Sequence, residues 1–103
     1  MSEFLDLVAM DDLADGCGLP INVGGRQIAL FRRGDEVFAI DEMCTHAEAS
    51  LCEGHLDGDD VVCPLHYAAF NLRTGEVTAP PAFEDIRTYQ VRIQDGRVLV
   101  KVD

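Results

Sequence analysis

Four residues, Cys44, His46, Cys63 and His66, set the tightest limit on how this chain can fold. They read C-x-H-x16-C-x2-H. Each of two short segments offers one thiol and one imidazole. For all four to act together, two loops must meet at one point. The stretch from Cys44 to His66 also contains Cys52 and His55, so it holds every histidine and every cysteine except Cys17.

Around that stretch the sequence reads as short strands broken by turn signals. Phe4–Val8 is strand-like, and Asp11-Asp12-Leu13 fits a single helical turn. Ile21–Val23 and Gln27–Phe31 flank Gly24-Gly25, a hairpin turn. Arg33-Gly34-Asp35 turns into Val37–Ile40. Thr74-Gly75 separates Phe70–Leu72 from Glu76–Thr78, and Pro80-Pro81 breaks any regular element. In the last hairpin Tyr89, Val91 and Ile93 alternate with polar neighbours, and Asp95-Gly96 leads into Val98–Val102. This pattern predicts an all-β sandwich or partly open barrel of short antiparallel strands. No helix longer than a turn or two is expected. The cysteine-rich stretch lies between strands and is expected to form loops projecting from the scaffold, where functional groups usually sit.

The length fits a single domain, residues 1–103. The net charge of -11 and pI of about 4.4 argue against nucleic acid and anionic membranes as partners. They favour a partner with a basic patch, or serve solubility alone. MSEFLDLVAM lacks the pattern of a signal peptide, and no segment approaches the roughly 20 apolar residues that cross a bilayer. The chain therefore reads as cytoplasmic, and a monomer is the default expectation. In a reducing cytosol its cysteines are metal ligands or thiols rather than disulfides.

Two thiolates and two imidazoles suit a [2Fe–2S] centre in which each loop places its cysteine on one iron and its histidine on the other. Zinc is the rival, since the same ligands hold structural zinc. Against zinc, the C-x-H pair is tighter than usual finger spacings, and an all-β scaffold of this size does not obviously need a metal to fold. A zinc-stabilised β module that binds a protein is the corresponding alternative function. Cys52 and His55 form a competing C-x2-H pair. His55 reads as a surface histidine at the start of a short strand before Asp57-Gly58, Cys52 as a packing thiol, and Cys17 as a free or buried thiol.

The segments "CTH" and "CPLH" at this distance resemble the cluster-binding signature of the Rieske iron–sulfur proteins. "HLDGDDVVCPLHYAAFNLRTGEV" is similar to their second cluster loop with flanking hairpins. "APPAFEDIRTYQVRI" resembles their proline-containing loop and return strand. The resemblance covers most of the chain and points to the free-standing Rieske ferredoxins of bacterial ring-hydroxylating dioxygenases. It implies a cluster-binding subdomain of two loops over about residues 42–83, holding one [2Fe–2S] cluster through Cys44, His46, Cys63 and His66. It implies a one-electron carrier with no catalytic site. Such a carrier takes electrons from a flavin-containing NAD(P)H-dependent reductase and passes them to a terminal oxygenase. The other family reading is a Rieske-type small subunit of a larger reductase, such as nitrite reductase. Those relatives often lack the full ligand set that this chain has.

High-potential members of the family carry a loop-tying disulfide and two hydroxyls aimed at cluster sulfurs. The matching positions here are Ala49 and Leu65 for the cysteines, and Ala68 and Phe70 for the hydroxyls. The resemblance therefore implies a low potential, about -150 mV, at the foot of the Rieske range. It also implies that His46 and His66 sit at an exposed tip with Cys44 and Cys63 deeper. Leu65, Pro80, Pro81 and Phe83 would shield the site or form a docking patch. Acids among Glu48, Glu53, Asp57, Asp59 and Asp60 would flank the tip and steer encounter.

Overall fold

The run Ile28-Ala29-Leu30-Phe31 has no polar residue to turn toward water. It therefore fits only a strand buried on both faces. The computed structural model describes residues 4–45, 49–65, 67–80, 82 and 84–101. In it this run lies in β3, the wall between two hydrophobic cores. Ile28 and Leu30 point into one core, Ala29 and Phe31 into the other.

Ten strands are formed by the described residues: β1 (Phe4–Ala9), β2 (Gly18–Val23), β3 (Arg26–Arg33), β4 (Glu36–Asp41), β5 (His55–Asp57), β6 (Asp60–Val62), β7 (Ala69–Asn71), β8 (Val77–Ala79), β9 (Thr88–Gln94) and β10 (Arg97–Lys101). Six of them make an antiparallel sheet in the order β1-β10-β9-β4-β3-β2. It curls around the first core, where Val98 and Val100 of β10 meet Ile28, Leu30, Val37 and Ala39. The curl shows where β4 and β9 join. They pair only at Ala39 with Tyr89 and at Ile40 with Thr88. The remaining four strands form a small sheet, β5-β6-β7-β8. It packs on the far side of β3 and β4, and Val61, Phe70 and Leu72 bury there against Phe31 and Ile40. The all-β architecture and the partly open barrel expected from the sequence are both present. No α-helix occurs among the described residues, only two 3-10 turns, Met10–Asp12 and Leu51–Glu53.

Most expected strands recur with shifted ends. The first helical turn begins one residue earlier than expected, at Met10. The strand expected over Ile21–Val23 extends back to Gly18, with Pro20 tolerated because β2 is an edge strand. The strands expected at Phe70–Leu72 and Glu76–Thr78 are Ala69–Asn71 and Val77–Ala79. The turn at Asp95-Gly96 closes β9 to β10 with both residues at positive φ, +52° and +73°, as a two-residue hairpin turn requires.

One expectation needs correction. The cysteine-rich stretch is not loop throughout, because β5 and β6 form a hairpin inside it. Leu56 and Val61 are apolar at paired positions, so even these three-residue strands contribute to the second core.

Two ion pairs join the sheets. Arg33 of β3 pairs with Asp59 in the β5–β6 turn. Arg73, in the β7–β8 turn, donates two hydrogen bonds of 2.8 Å to the Glu36 carboxylate and lies over the Phe38 ring at 5.0 Å.

Candidate metal centre

Both cysteine loops grow from hairpins and close in the same way. After β4, Met43 bridges Ser50, and the Cys44 N–H donates to the Ala49 carbonyl at 2.9 Å. After β6, whose Val62 pairs with Ala69 of β7, the Cys63 N–H donates to the Ala68 carbonyl at 2.6 Å. In each case the cysteine donates to the fifth residue along the chain. Each cysteine thus stands at the neck of its loop, fixed by the strand pairing behind it. Each histidine falls inside the loop. His46 and His66 lie outside the described residues, as do Glu48, Pro81 and Phe83.

The structure brings Cys44 and Cys63 together. Both are buried in the second core, with the Cys44 thiol adjacent to that of Cys63. Burial pushes the Cys63 thiol above its ordinary value. A hydrogen bond from the backbone N–H of Leu65 opposes this, and the adjacent Cys44 adds to the rise. Apolar side chains line the floor beneath the pair: Ala49, Leu51, Ala68 and Phe70 are all buried. At Ala68 and Phe70 no side-chain hydroxyl is available to reach a sulfur.

Gly54 holds the second loop in place from below. It ends the Leu51–Glu53 turn by donating its N–H to the Leu51 carbonyl, and a Cβ there would collide with the Val62 carbonyl oxygen. This close approach sets the β5–β6 hairpin directly before Cys63.

The other soft ligands stay apart from the thiol pair. His55 is exposed at the start of β5, and Cys17 is exposed. Cys52 packs against the second core, where burial pushes its thiol up to about 11, with Ser50 opposing and Glu42 and Glu53 adding to the rise. These placements agree with the surface, thiol and packing roles expected of the three. No disulfide is formed among the four cysteines.

The acidic expectation is corrected in part. Asp57, Asp59 and Asp60 lie at the turn end of the β5–β6 hairpin, opposite Cys63. There Asp59 pairs with Arg33, and Asp60 accepts from Thr78 at 3.0 Å. Asp59 is thus turned to the six-stranded sheet and Asp60 to β8, and the length of β6 separates this turn from the cysteine loop. The acids beside the loops include two that the sequence reading passed over, Glu42 and Glu84. The Glu42 carbonyl accepts from Leu51, and the Glu84 carbonyl accepts from the Thr45 hydroxyl at 2.8 Å. No lysine or arginine occurs between Arg33 and Arg73, which could have flagged this end as uniformly acidic.

Two buried thiols from two matched loops, facing each other over an apolar floor, fit the half of a [2Fe–2S] site that cysteines supply. The Rieske [2Fe-2S] domain model matches residues 3–90. The ferredoxin component of the naphthalene 1,2-dioxygenase/salicylate 5-hydroxylase systems of Ralstonia sp is 36% identical over 100 residues, 97% of this chain and 96% of that one. The ferredoxin fold in a complex of reduced oxygenase and oxidized ferredoxin in carbazole 1,9a-dioxygenase superposes with a TM-score of 0.88 at 37% identity, covering 95% and 92% of the two chains. A putative NADH-dependent nitrite reductase small subunit from Mycobacterium tuberculosis superposes with a TM-score of 0.89 at 25% identity, covering 100% and 97%. With its paired cysteine loops on a curled β base, this chain belongs to the Rieske [2Fe-2S] family of ferredoxins, which carry electrons and hold one such cluster.

Proposed function

We propose that the chain is the cytoplasmic ferredoxin of an aromatic-ring dioxygenase system, taking single electrons from a flavin-containing NAD(P)H-dependent reductase and giving them to a terminal oxygenase. The observation that carries this reading is the facing pair of buried thiols at the necks of two matched loops. Cys44 and Cys63 would hold one iron, and His46 and His66 the other. When bound, the cluster supplies a one-electron store with no open coordination site for substrate.

The protein's own residues do the rest. Ala49, Leu51, Ala68 and Phe70 keep water from the sulfur side. The Leu65 N–H donates toward the Cys63 sulfur, which favours the electron-rich state. Ala68 and Phe70 add no further donor, so the potential should sit low in the Rieske range. Leu65 of the second loop and Pro80 are exposed and available to a partner, and Glu84 lies beside the first loop, its carbonyl hydrogen-bonded to Thr45. A carrier needs a contact that forms and releases quickly, smaller than roughly 1,200 Å².

The nitrite reductase likeness supports a second reading, a resident subunit of a larger enzyme. The full set of two cysteines and two histidines, and the higher identity to dioxygenase ferredoxins, favour the mobile carrier.

The test is iron and acid-labile sulfide on the purified protein, with an EPR spectrum after dithionite reduction, followed by reduction of a dioxygenase's oxygenase component. Equal iron and sulfide, the low-average-g signal of a histidine-ligated cluster and electron transfer are expected. Zinc without sulfide would overturn the reading, and a tight complex with a reductase on purification would favour the subunit.

A further inference from the structure

Tyr67 breaks a local rule that the rest of the chain obeys. Its φ is +62°, in the left-handed region where a Cβ crowds the backbone and a bulky side chain is strained. The one other non-glycine at positive φ among the described residues is Asp95, and that residue has a reason, the two-residue turn between β9 and β10. At Tyr67 the angle is set by the tight closure of its loop, where the Cys63 N–H donates to the Ala68 carbonyl, and glycine would adopt it without strain. The Tyr67 ring is 73% exposed and belongs to neither core. Among the described residues its hydroxyl has no hydrogen-bond partner. The fold therefore holds a costly backbone conformation and leaves a large aromatic ring in water, at the residue directly after His66.

Its surroundings say what the ring is for. Leu65 on the same loop is 46% exposed, whereas Met43, 38% exposed, lines a pocket with Arg26, Gln27, Asp41 and Tyr89 of the six-stranded sheet. Among the described residues the other large exposed apolar side chains, Leu5 and Ile93, lie on β1 and β9 of the six-stranded sheet. An exposed aromatic with an apolar neighbour is the composition of an interface centre, where tyrosine is enriched. Between Arg33 and Arg73 the chain carries no lysine or arginine, so the segment that forms both loops has acidic side chains and no fixed cation to balance them. A small, transient contact also needs a feature that fixes orientation, and a single buried ring supplies one.

We propose that Tyr67 is the anchor by which this ferredoxin seats on its electron-accepting protein, in an apolar pocket ringed by lysine or arginine over that partner's redox centre. The inference rests on the electron-carrier reading above. Tyr67 is an orienting residue and touches no reacting atom; the left-handed backbone set by the loop's closure leaves the ring outside.

Glycine at this position relieves the backbone and removes the ring, so strain and binding separate. In the cluster-loaded protein, Tyr67→Gly and Tyr67→Phe are compared with the parent by thermal melting, by reduction potential and by steady-state titration of the oxygenase component of carbazole 1,9a-dioxygenase. Tyr67→Gly is expected to keep the potential and to melt at or above the parent. Its apparent KM should rise about tenfold, the loss typical of an interface anchor, while kcat stays within about twofold. Tyr67→Phe, which keeps the ring, should stay near the parent KM. A Tyr67→Gly protein with the parent's KM would overturn the proposal, as would one that melts earlier and loses its cluster, because the ring would then be structural. If the parent itself fails to reduce the oxygenase, the carrier reading falls and this inference with it.

Discussion

The thiol of Cys44 lies adjacent to the thiol of Cys63, although one follows β4 of the six-stranded sheet and the other follows β6 of the four-stranded sheet. The site therefore exists only where the two sheets are packed together. Each sheet contributes one loop, and the second core between them fixes the separation of the sulfurs.

Cys63→Ala should abolish bound iron and acid-labile sulfide while leaving a folded β protein, because alanine suits the apolar floor at this buried position. Cys44→Ala should do the same. Cys52→Ala and Cys17→Ser should keep a full complement of both, since neither thiol joins the facing pair. Metal and sulfide analysis, with the visible spectrum, decides this; a cluster retained in Cys63→Ala would remove that residue from the ligand set.

The parent's midpoint potential is expected near about -150 mV, the foot of the Rieske range. Ala68→Ser and Phe70→Tyr should each raise it, because a hydroxyl placed beside the sulfurs stabilises the reduced state. Spectroelectrochemical titration reads both. A parent value well above zero would contradict the role given to these two buried positions.

The ion pairs between the sheets should make stability depend on acid pH. The Glu36 carboxyl is held below its ordinary value chiefly by hydrogen bonds from Arg73, and that of Asp59 chiefly by Arg33. A carboxyl whose folded pKa is depressed stabilises the fold above its unfolded pKa and loses that contribution as pH falls through the folded value. Tm should therefore decline as the pH falls below about 4.5, the ordinary value for Glu36, and further as it passes the ordinary value for Asp59, about 3.8. In Arg73→Gln the decline should be shallower. Added salt should shrink the difference between the two proteins, since all four side chains are solvent-accessible. Parallel pH profiles for both proteins would count against the clamp.

Gly54→Ala should lower stability by about 1–3 kcal/mol, the usual cost of overpacking that forces a backbone shift. The added Cβ meets the carbonyl oxygen of Val62, and neither atom is the end of a flexible side chain. The shift falls next to Cys63, so cluster retention should fall along with the denaturation midpoint. An alanine variant with the parent's midpoint would mean that the hairpin moves freely at this point.

Much of the scaffold was legible because its signals are local. Alternation at Tyr89, Val91 and Ile93 marked one face of β9, and Asp95-Gly96 marked the turn after it. The ends of β7 and β8 slipped by a residue because Asn71 caps the β7–β8 turn, its side chain accepting from the backbone of Arg73 and Thr74. That bond ends the strand before Leu72, whose apolar side chain had extended the sequence pattern. The β5–β6 hairpin was only half legible. Its strands are three residues long, and its apolar pair, Leu56 and Val61, is too short to set a period.

The sequence alone determined the ligand chemistry, the spacing of the cysteine and histidine pairs, and the β character of the chain. All three are written in residue type and in neighbours along the chain. Tertiary structure decided what depends on partners distant in sequence. It made β3 the wall between two cores and set the two loop necks face to face. It turned Asp59 toward Arg33, although the sequence places it only a few residues before Cys63. It also left Tyr67 outside at a left-handed φ, because a backbone angle that no residue type announces is fixed by the strand pairing on either side of it.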